Sequence, residues 1–456
     1  VRRRATAVAA GTGQRETSPP APPARDIRLF WWANGTDTLG TQISGLVLPL
    51  LLLSLGYSPA VVGAVAGLST VLGLVMGPFA AVLADRGARK RVMVWSALAS
   101  AGALGTLAAA LWLGDPHPAL LFTAIAVERF ATSCQEAAAG GTVALVCDPT
   151  DYPRAVSRLQ AGEQGAMVVG PLLGGLCYHF SRWLPFLADA LSYLVAALCV
   201  RAMRSDLAPE PDQARVEHPA GRSTRAWSAF AAEVGAGLAL VLRSPLLRLV
   251  LVWGTAVNGL LVALHYTTVF ALRESGQGAT AVGLVFSLAG AAGLAGALAA
   301  PAVARRLTAS RTLLAVSWLL VPAAGALALS PRPWLYGLLF GALCLPVPVA
   351  AVVLQARVMR VTPAGLQART STALATVTGV SAALAPLAAG VSAARAGTAA
   401  TAAGCAVLLA LLAAGTTLAV ARGALSVPDG SRAEPRGEPQ EIPRKEPRKE
   451  PRKEKA

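Results

Sequence analysis

The residues in this chain best placed to do chemistry are ionisable side chains set inside long apolar stretches. Asp37, Glu128, Arg129, Glu136, Glu163 and Asp189 lie in such stretches, and His265 lies in another. Charge at bilayer depth is expensive and is retained there for function. A carboxyl among apolar neighbours can take up and release a proton near neutral pH, and a nearby cation shifts the balance. Arg129 is the only cation in the middle of a stretch, so it is the natural modulator. Asp37 and Glu136 rank first as proton carriers and Glu128 third. The alternative is a standing Arg129–carboxylate pair that pins two helices together. Glu128 and Glu136 are eight residues apart, which on a helix separates them by ~80° and ~12 Å. Both can therefore face one cavity at different depths. Glu163 and Asp189 fall near the ends of their stretches and read as wet, structural groups. Other chemistries find no support. No phosphate-cradling G-x-x-x-x-G-K-[ST] loop, paired histidines or nucleophile elbow occurs. Cys134, Cys147, Cys177, Cys199, Cys344 and Cys405 lack metal spacing and read as small buried thiols. The expectation is a protein that is not an enzyme and holds no metal or cofactor.

Those side chains need a scaffold, and the composition says which. Of 456 residues, 54% are hydrophobic and 14% charged, against roughly 25% charged in soluble domains. Apolar runs long enough to cross a bilayer recur through most of the chain. Twelve are read, near 29–53, 60–83, 92–113, 119–146, 156–179, 184–203, 246–272, 279–303, 312–330, 334–355, 370–393 and 397–421. Turn signals such as Gly56-Tyr57-Ser58-Pro59 and Gly114-Asp115-Pro116-His117-Pro118 separate them. The runs are continuous rather than alternating, which excludes a β-barrel. Backbone groups in lipid must be satisfied within each span, so the fold class is all-α integral membrane.

The net charge of +16 fits topology better than nucleic acid. With both termini and the even-to-odd connections on one side, 35 of the 40 Lys and Arg residues fall there. Arg182, Arg273, Arg332 and Arg395 fall opposite, and Arg129 stays within a span. Basic residues concentrate on the cytoplasmic side, so both termini are expected in the cytoplasm and the protein in the cell membrane. Val1 to Asp26 lacks the apolar core of a cleaved export signal. The domain reading is a disordered tail at 1–27, six spans at 28–203 and a cytoplasmic linker at 204–228. An interfacial helix with six more spans follows at 229–421, then a charged disordered tail at 422–456. In that tail Pro-Arg-Lys-Glu occurs three times between Pro443 and Glu454. Trp31, Trp32 and Trp334 lie near span ends, where aromatic belts form.

The halves resemble each other. A shift of 220 brings Val62-Gly63 onto Val282-Gly283, Gly73 onto Gly293, Arg86 onto Arg306 and Arg91 onto Arg311. A shift of 215 brings Arg154 onto Arg369, Pro171 onto Pro386 and Gly175 onto Gly390. Six-helix repeats are expected where two bundles rock around a midplane site.

Two motifs bear on mechanism. After the second span the chain reads Ala81-Val-Leu-Ala-Asp85-Arg86-Gly87-Ala88-Arg89-Lys90-Arg91. One carboxylate beside several cations at a helix terminus can latch two bundles in one state. The fifth span reads Gly165-Ala166-Met-Val-Val-Gly170-Pro171-Leu-Leu-Gly174-Gly175. Small residues there permit close helix approach and Pro171 bends the helix. The first resembles the loop 2–3 signature G-x-L-A-D-R-x-G-R-K of the major facilitator superfamily. Ala81 replaces its first Gly, and Gly87-Ala88 departs from the usual order. The second resembles that superfamily's antiporter motif G-x-x-x-G-P-x-x-G-G, with Ala166 in the first Gly place. Arg28-Leu29-Phe30-Trp31, Leu48-Pro49-Leu50, Pro185-Phe186-Leu187-Ala188-Asp189-Ala190-Leu191-Ser192-Tyr193 and Arg243-Ser244-Pro245-Leu246-Leu247-Arg248 look like the macrolide-efflux branch of drug:proton antiporters, which includes siderophore exporters. The likeness spans about residues 27–421.

The resemblance implies two pseudo-symmetric six-helix bundles, with spans 1 and 4 lining a central cavity. It implies a proton-driven exporter of bulky amphipathic molecules, a siderophore exporter being the alternative within the branch and a nutrient importer the alternative outside it. Expected partners are a small amphipathic substrate, protons and the lipid bilayer, with no nucleic acid; the protein is expected to act as a monomer. The proton gradient supplies the driving force in place of a cofactor. Asn34, Gln42, Asn258, His265, Tyr266 and Gln355 are candidate polar contacts in the cavity.

Overall fold

A computed structural model describes residues 24–83, 89–140, 142–147, 151–205, 207, 223–330, 333–362 and 364–423. Among them the chain is helical and contains no strand. The helices are α1 (Ala24–Ser54), α2 (Pro59–Leu83), α3 (Arg89–Leu113), α4 (Pro118–Gly140), α5 (Val143–Val146), α6 (Tyr152–Phe180), α7 (Leu184–Ala202), α8 (Ser223–Arg243), α9 (Pro245–Glu274), α10 (Ala279–Arg306), α11 (Ala309–Leu329), α12 (Pro333–Cys344), α13 (Val347–Val361), α14 (Ala364–Ala396) and α15 (Thr398–Ala421).

Local chemistry sets the ends. Prolines open α2, α4 and α9, where the missing N–H is an orphan anyway and φ is preset. Gly56 after α1 and Gly276 after α9 both take positive φ, 88° and 73°. They stand 220 residues apart, so the repeat extends to the turn that ends the first span of each half. At the termini-bearing end, Asp26 accepts backbone N–H bonds from Arg204 (2.9 Å) and Ser205 (2.6 Å) and a hydroxyl bond from Ser205 (2.6 Å). This ties the start of α1 to the end of α7.

Ten helical spans among the described residues are long and apolar enough to cross a bilayer. The two expected spans outside that set are α4, with Glu128, Arg129 and Glu136, and α6, with Arg154, Arg158 and Glu163. Their charge lowers their hydropathy, and their place in the fold is unchanged. Some boundaries differ from the sequence reading. The span read as 119–146 is α4 and α5, parted after Gly140, because glycine stabilises helix poorly. The tenth span turns at Leu345-Pro346 between α12 and α13, since Pro346 has no N–H to continue α12. That turn presses the Leu345 carbonyl against Gly296 of α10. The interfacial helix α8 starts at Ser223, inside the segment read as linker.

The first half is α1 to α7 and the second α9 to α15. Each has its own core, built around Leu107, Phe186 and Tyr193 in one and Leu264, Leu313 and Leu320 in the other. The halves meet along two seams, α2 with α14 and α6 with α10. The seam glycines show where they close. A Cβ on Gly63 would strike the Pro386 carbonyl, and one on Gly283 would strike the Pro171 carbonyl. One on Gly390 would strike the Pro59 carbonyl, and one on Gly175 the Ala279 carbonyl. The repeat positions found by shifting the sequence therefore make equivalent contacts. All of them lie toward the end away from the termini. Leu46 and Leu50 of α1 enter the second core there, and Phe270 and Ala393 enter the first. Toward the termini the seams loosen. A Cβ on Gly77 or Gly165 would meet nothing within 4 Å. The two halves are thus clamped at one end and splayed at the other.

Candidate functional site

α1 packs on α6 and α7, and α4 packs on α2 and α3; side chains of α1 and α4 reach toward each other within the first half and bring four ionisable residues together. Asp37 lies within reach of the Gln135 side chain, and the charges of Glu136, Glu128 and Arg129 are close enough to act on it. Glu128 Oε1 accepts from the Thr132 hydroxyl (2.9 Å) and the Tyr193 hydroxyl (3.2 Å), and lies 3.8 Å from Arg129 Nη2. Three carboxyls thus share one guanidinium. Asp37 Oδ1 and Arg129 Nε are buried with no hydrogen-bond partner among the described residues. Asn258 Oδ1 and Thr255 Oγ1 on α9 are in the same condition. Buried polar atoms are normally paired, so these atoms are suited to a polar group brought in from outside.

The second half holds a cluster of rings in its core. His265 packs on Phe286 with ring centroids 4.1 Å apart, and Tyr266 meets His265 at 5.4 Å. Phe340 meets Phe286 edge-on at 5.3 Å. Arg129 lies within electrostatic reach of Tyr266 across the halves. Asn34 and Gln42 are half-buried on α1, and Gln355 is exposed on α13. Glu163 pairs with the Gln160 amide at 2.9 Å on the exposed part of α6, apart from the cluster. At the termini-bearing end a cavity of about 550 Å³ opens between α1, α5 and α6. Arg28, Trp31, Trp32, Arg158 and Leu159 line it. The Trp31 indole N–H donates to the Arg158 carbonyl at 3.2 Å, a tie between helices beyond the belt role expected of it.

The antiporter-like motif works in two directions. Gly170 lies against Gln42 and Gly174 against the Ile43 carbonyl, which lets α6 approach α1. Gly175 and Pro171 face α10, where the Leu172 N–H donates to Ser287 Oγ at 3.0 Å. Gly165 takes no part in these contacts. In the loop motif, Asp85 and Arg86 lie outside the described residues. Lys90 donates to the Met203 carbonyl at 2.5 Å, a bond within its own half. Arg89 is half-buried, and Arg91 is exposed beside Trp95 at the outer face of α3 and α4.

Asp189 departs most from the sequence reading. Placed near a span end, it was expected to be wet, yet it is 0% exposed. Its carboxyl is held by the Ser44 hydroxyl of α1 and, at 3.2 Å, by the Ser192 hydroxyl of its own helix. A Cβ on Gly40 would strike both Asp189 and Ser192, so glycine there lets α1 close over the carboxyl. Gly40 and Ser44, one turn apart on α1, and Ser192 three residues beyond Asp189 were the available signal.

Comparison with known proteins agrees with this architecture. The Major Facilitator Superfamily matches residues 30–386. No curated protein matches the chain in sequence. Among solved structures, a bacterial homologue of the human lysosomal transporter Spinster, inward-facing and unoccupied, is 16% identical with a TM-score of 0.65, covering 90% of this chain and 98% of that one. The nucleoside transporter NupG is 14% identical with a TM-score of 0.65, covering 87% and 99%. A peptide transporter of the POT type is 14% identical with a TM-score of 0.64, covering 87% and 95%. At such identities the likeness is one of fold.

Proposed function

Because the chain belongs to the Major Facilitator Superfamily and is a multi-pass membrane transporter, we propose that it exports drugs, antibiotics or other amphipathic secondary metabolites across the cytoplasmic membrane in exchange for protons. The observation that carries this reading is the cluster of Asp37, Glu128 and Glu136 around Arg129, which lies within electrostatic reach of Tyr266 in the second half. Three carboxyls and one guanidinium leave an acidic surplus. Protons taken up there neutralise it, and a cationic or polar group of a substrate competes for the same oxygens. Such competition is what exchange requires. The sparse polar anchors suit a bulky, greasy substrate better than a sugar. With both termini in the cytoplasm, the clamped end faces outward and the splayed end opens inward, ready to load from the cytoplasm. Binding needs no covalent step and no cofactor; the proton gradient supplies the free energy.

The test uses everted membrane vesicles. A proton gradient is set up and its collapse is followed as macrolides, ethidium and a siderophore are added, with Asp37→Asn and Glu136→Gln alongside. Compound-dependent collapse that either variant abolishes supports the reading and identifies the carrier. A response to the siderophore alone selects the siderophore branch. No collapse with any compound, together with nutrient uptake by intact cells, assigns the protein to import.

A further inference from the structure

The proton-exchange reading leaves one buried acid without a task. Asp189 sits on α7 at 0% exposure, and its hydrogen-bond partners among the described residues are the Ser44 and Ser192 hydroxyls. Ser192 also donates to the backbone carbonyl of Asp189 at 2.8 Å. No described cation pairs with it. A carboxylate held away from water by neutral hydroxyls is costly, and a structural role alone would be met as well by an amide. The elements packed around it bring acid rather than base. α1 contributes Asp37 and α4 contributes Glu128, both close enough for their charges to act on Asp189. α3 packs on α7, and its charged residues Arg89, Lys90 and Arg91 lie at its far, termini-bearing end. α6 contributes Tyr178, whose hydroxyl is engaged with Ser54 at 3.0 Å.

Asp189 and Glu128 are linked through a chain of hydroxyls. Tyr193, one turn along α7 from Asp189, donates to Glu128 at 3.2 Å and shares a hydrogen bond with the Thr41 hydroxyl at 3.3 Å. Ser44, one turn along α1 from Thr41, holds Asp189 and reaches back to the Thr41 carbonyl at 3.5 Å. Depth matters as well. Ser44 lies seven residues, ~10 Å, nearer the clamped end than Asp37, and Glu136 lies ~12 Å from Glu128 toward the splayed end. Along the axis Asp189 and Glu128 lie nearer the clamped end, and Asp37, within reach of Gln135, lies with Glu136 nearer the splayed end.

We propose that Asp189 is a second proton-binding site, protonated while Glu128 is ionised, whose occupancy is set by the charge on Glu128. When Glu128 takes up a proton, its repulsion on Asp189 falls and the proton on Asp189 can leave. One proton moves in and one out, and no bond other than O–H changes. The inference rests on the proton-exchange reading for its role in transport, but the presence of the proton is tested separately.

Infrared difference spectra of the purified protein in lipid at neutral pH provide that test. The wild type minus Asp189→Asn is expected to show the carbonyl stretch of a protonated carboxylic acid, shifted in D2O. Glu128→Gln removes the neighbouring charge and should turn that band into ionised carboxylate. Asp189→Asn keeps the size of the side chain, and Ser44→Ala provides a second variant that shifts the band without deleting the acid. Ionised-carboxylate bands in place of the acid band, or a protonated band indifferent to Glu128→Gln, would overturn the proposal. Ethidium-driven proton flux in everted vesicles separates the two claims. Flux in the wild type that Asp189→Asn abolishes supports a transport role, and flux unchanged in that variant refutes it. No flux in the wild type defeats the exporter reading, while the infrared result still decides the site.

Discussion

Substituting Gly283 with alanine should release the clamp. Its Cβ would strike the Pro171 carbonyl oxygen and lie 3.1 Å from the Pro171 carbonyl carbon and 3.3 Å from Gly175 Cα. All are backbone atoms of α6, so no side chain can swing aside. Forcing one carbon into a packed contact costs about 1–3 kcal/mol. The cost falls only on the arrangement in which α6 and α10 touch. A bias of that size moves a two-state equilibrium by roughly 5- to 150-fold. Gly63→Ala meets the Pro386 carbonyl in the equivalent place on the other seam. The two contacts share no partner, so the double variant should shift the balance by roughly the sum of the two energies. Spin labels at Ser58 and Gln277, in the turns after α1 and α9, report the separation of the halves at the clamped end by electron double resonance. The expected result is growth of a longer-distance population in each variant and more in the double. Gly77→Ala, whose Cβ meets nothing within 4 Å, should leave the distribution alone. An unchanged distribution in both seam variants, or an equal change in the control, would refute the reasoning.

Three further outcomes follow from the packing. Asp26→Ala removes the acceptor of three hydrogen bonds from Arg204 and Ser205, and stability should fall by about 1–3 kcal/mol, read as a lower melting temperature of the purified protein. Gly40→Ala drives a methyl group into Asp189 and Ser192; a similar loss is expected from overpacking, about 1–3 kcal/mol, and Gly45→Ala, with open space around it, serves as the neutral comparison in the same melt. Trp253→Phe leaves Ser317 without the indole N–H that donates to it at 2.8 Å, a buried bond of about 1 kcal/mol, visible as a smaller fall in the same measurement.

The architecture was legible because membrane spans announce themselves by length and composition. The repeat was legible because close approach of two backbones admits only glycine. Gly63 with Gly283 and Gly175 with Gly390 could be paired by arithmetic, and they occupy equivalent contacts. Asp37, Glu128, Arg129 and Glu136 could be singled out because charge in an apolar run is conspicuous, and eight-residue spacing on one helix kept them within reach of α1. The breaks at Gly140 and Leu345-Pro346 were harder to see, since the sequence stays apolar on both sides of each turn. Asp189 was misjudged for a related reason. Distance from a span end measures depth, whereas burial also depends on which helix leans over the residue. That was decided by Gly40 and Ser44 on α1, some 145 residues away in sequence. The ring cluster of His265, Phe286 and Phe340 likewise joins three helices, so no local pattern could display it.

The central claim is that movement of substrate is driven by protons through the α1–α4 acids. The most direct measurement is ethidium accumulation in everted vesicles energised only by an imposed pH gradient, acid inside and with no ATP present, comparing wild type with Asp37→Asn. Accumulation is expected to vanish when an ionophore dissipates the gradient and to be lost in the variant. Accumulation that persists without the gradient, or that Asp37→Asn and Glu136→Gln both leave intact, would contradict it.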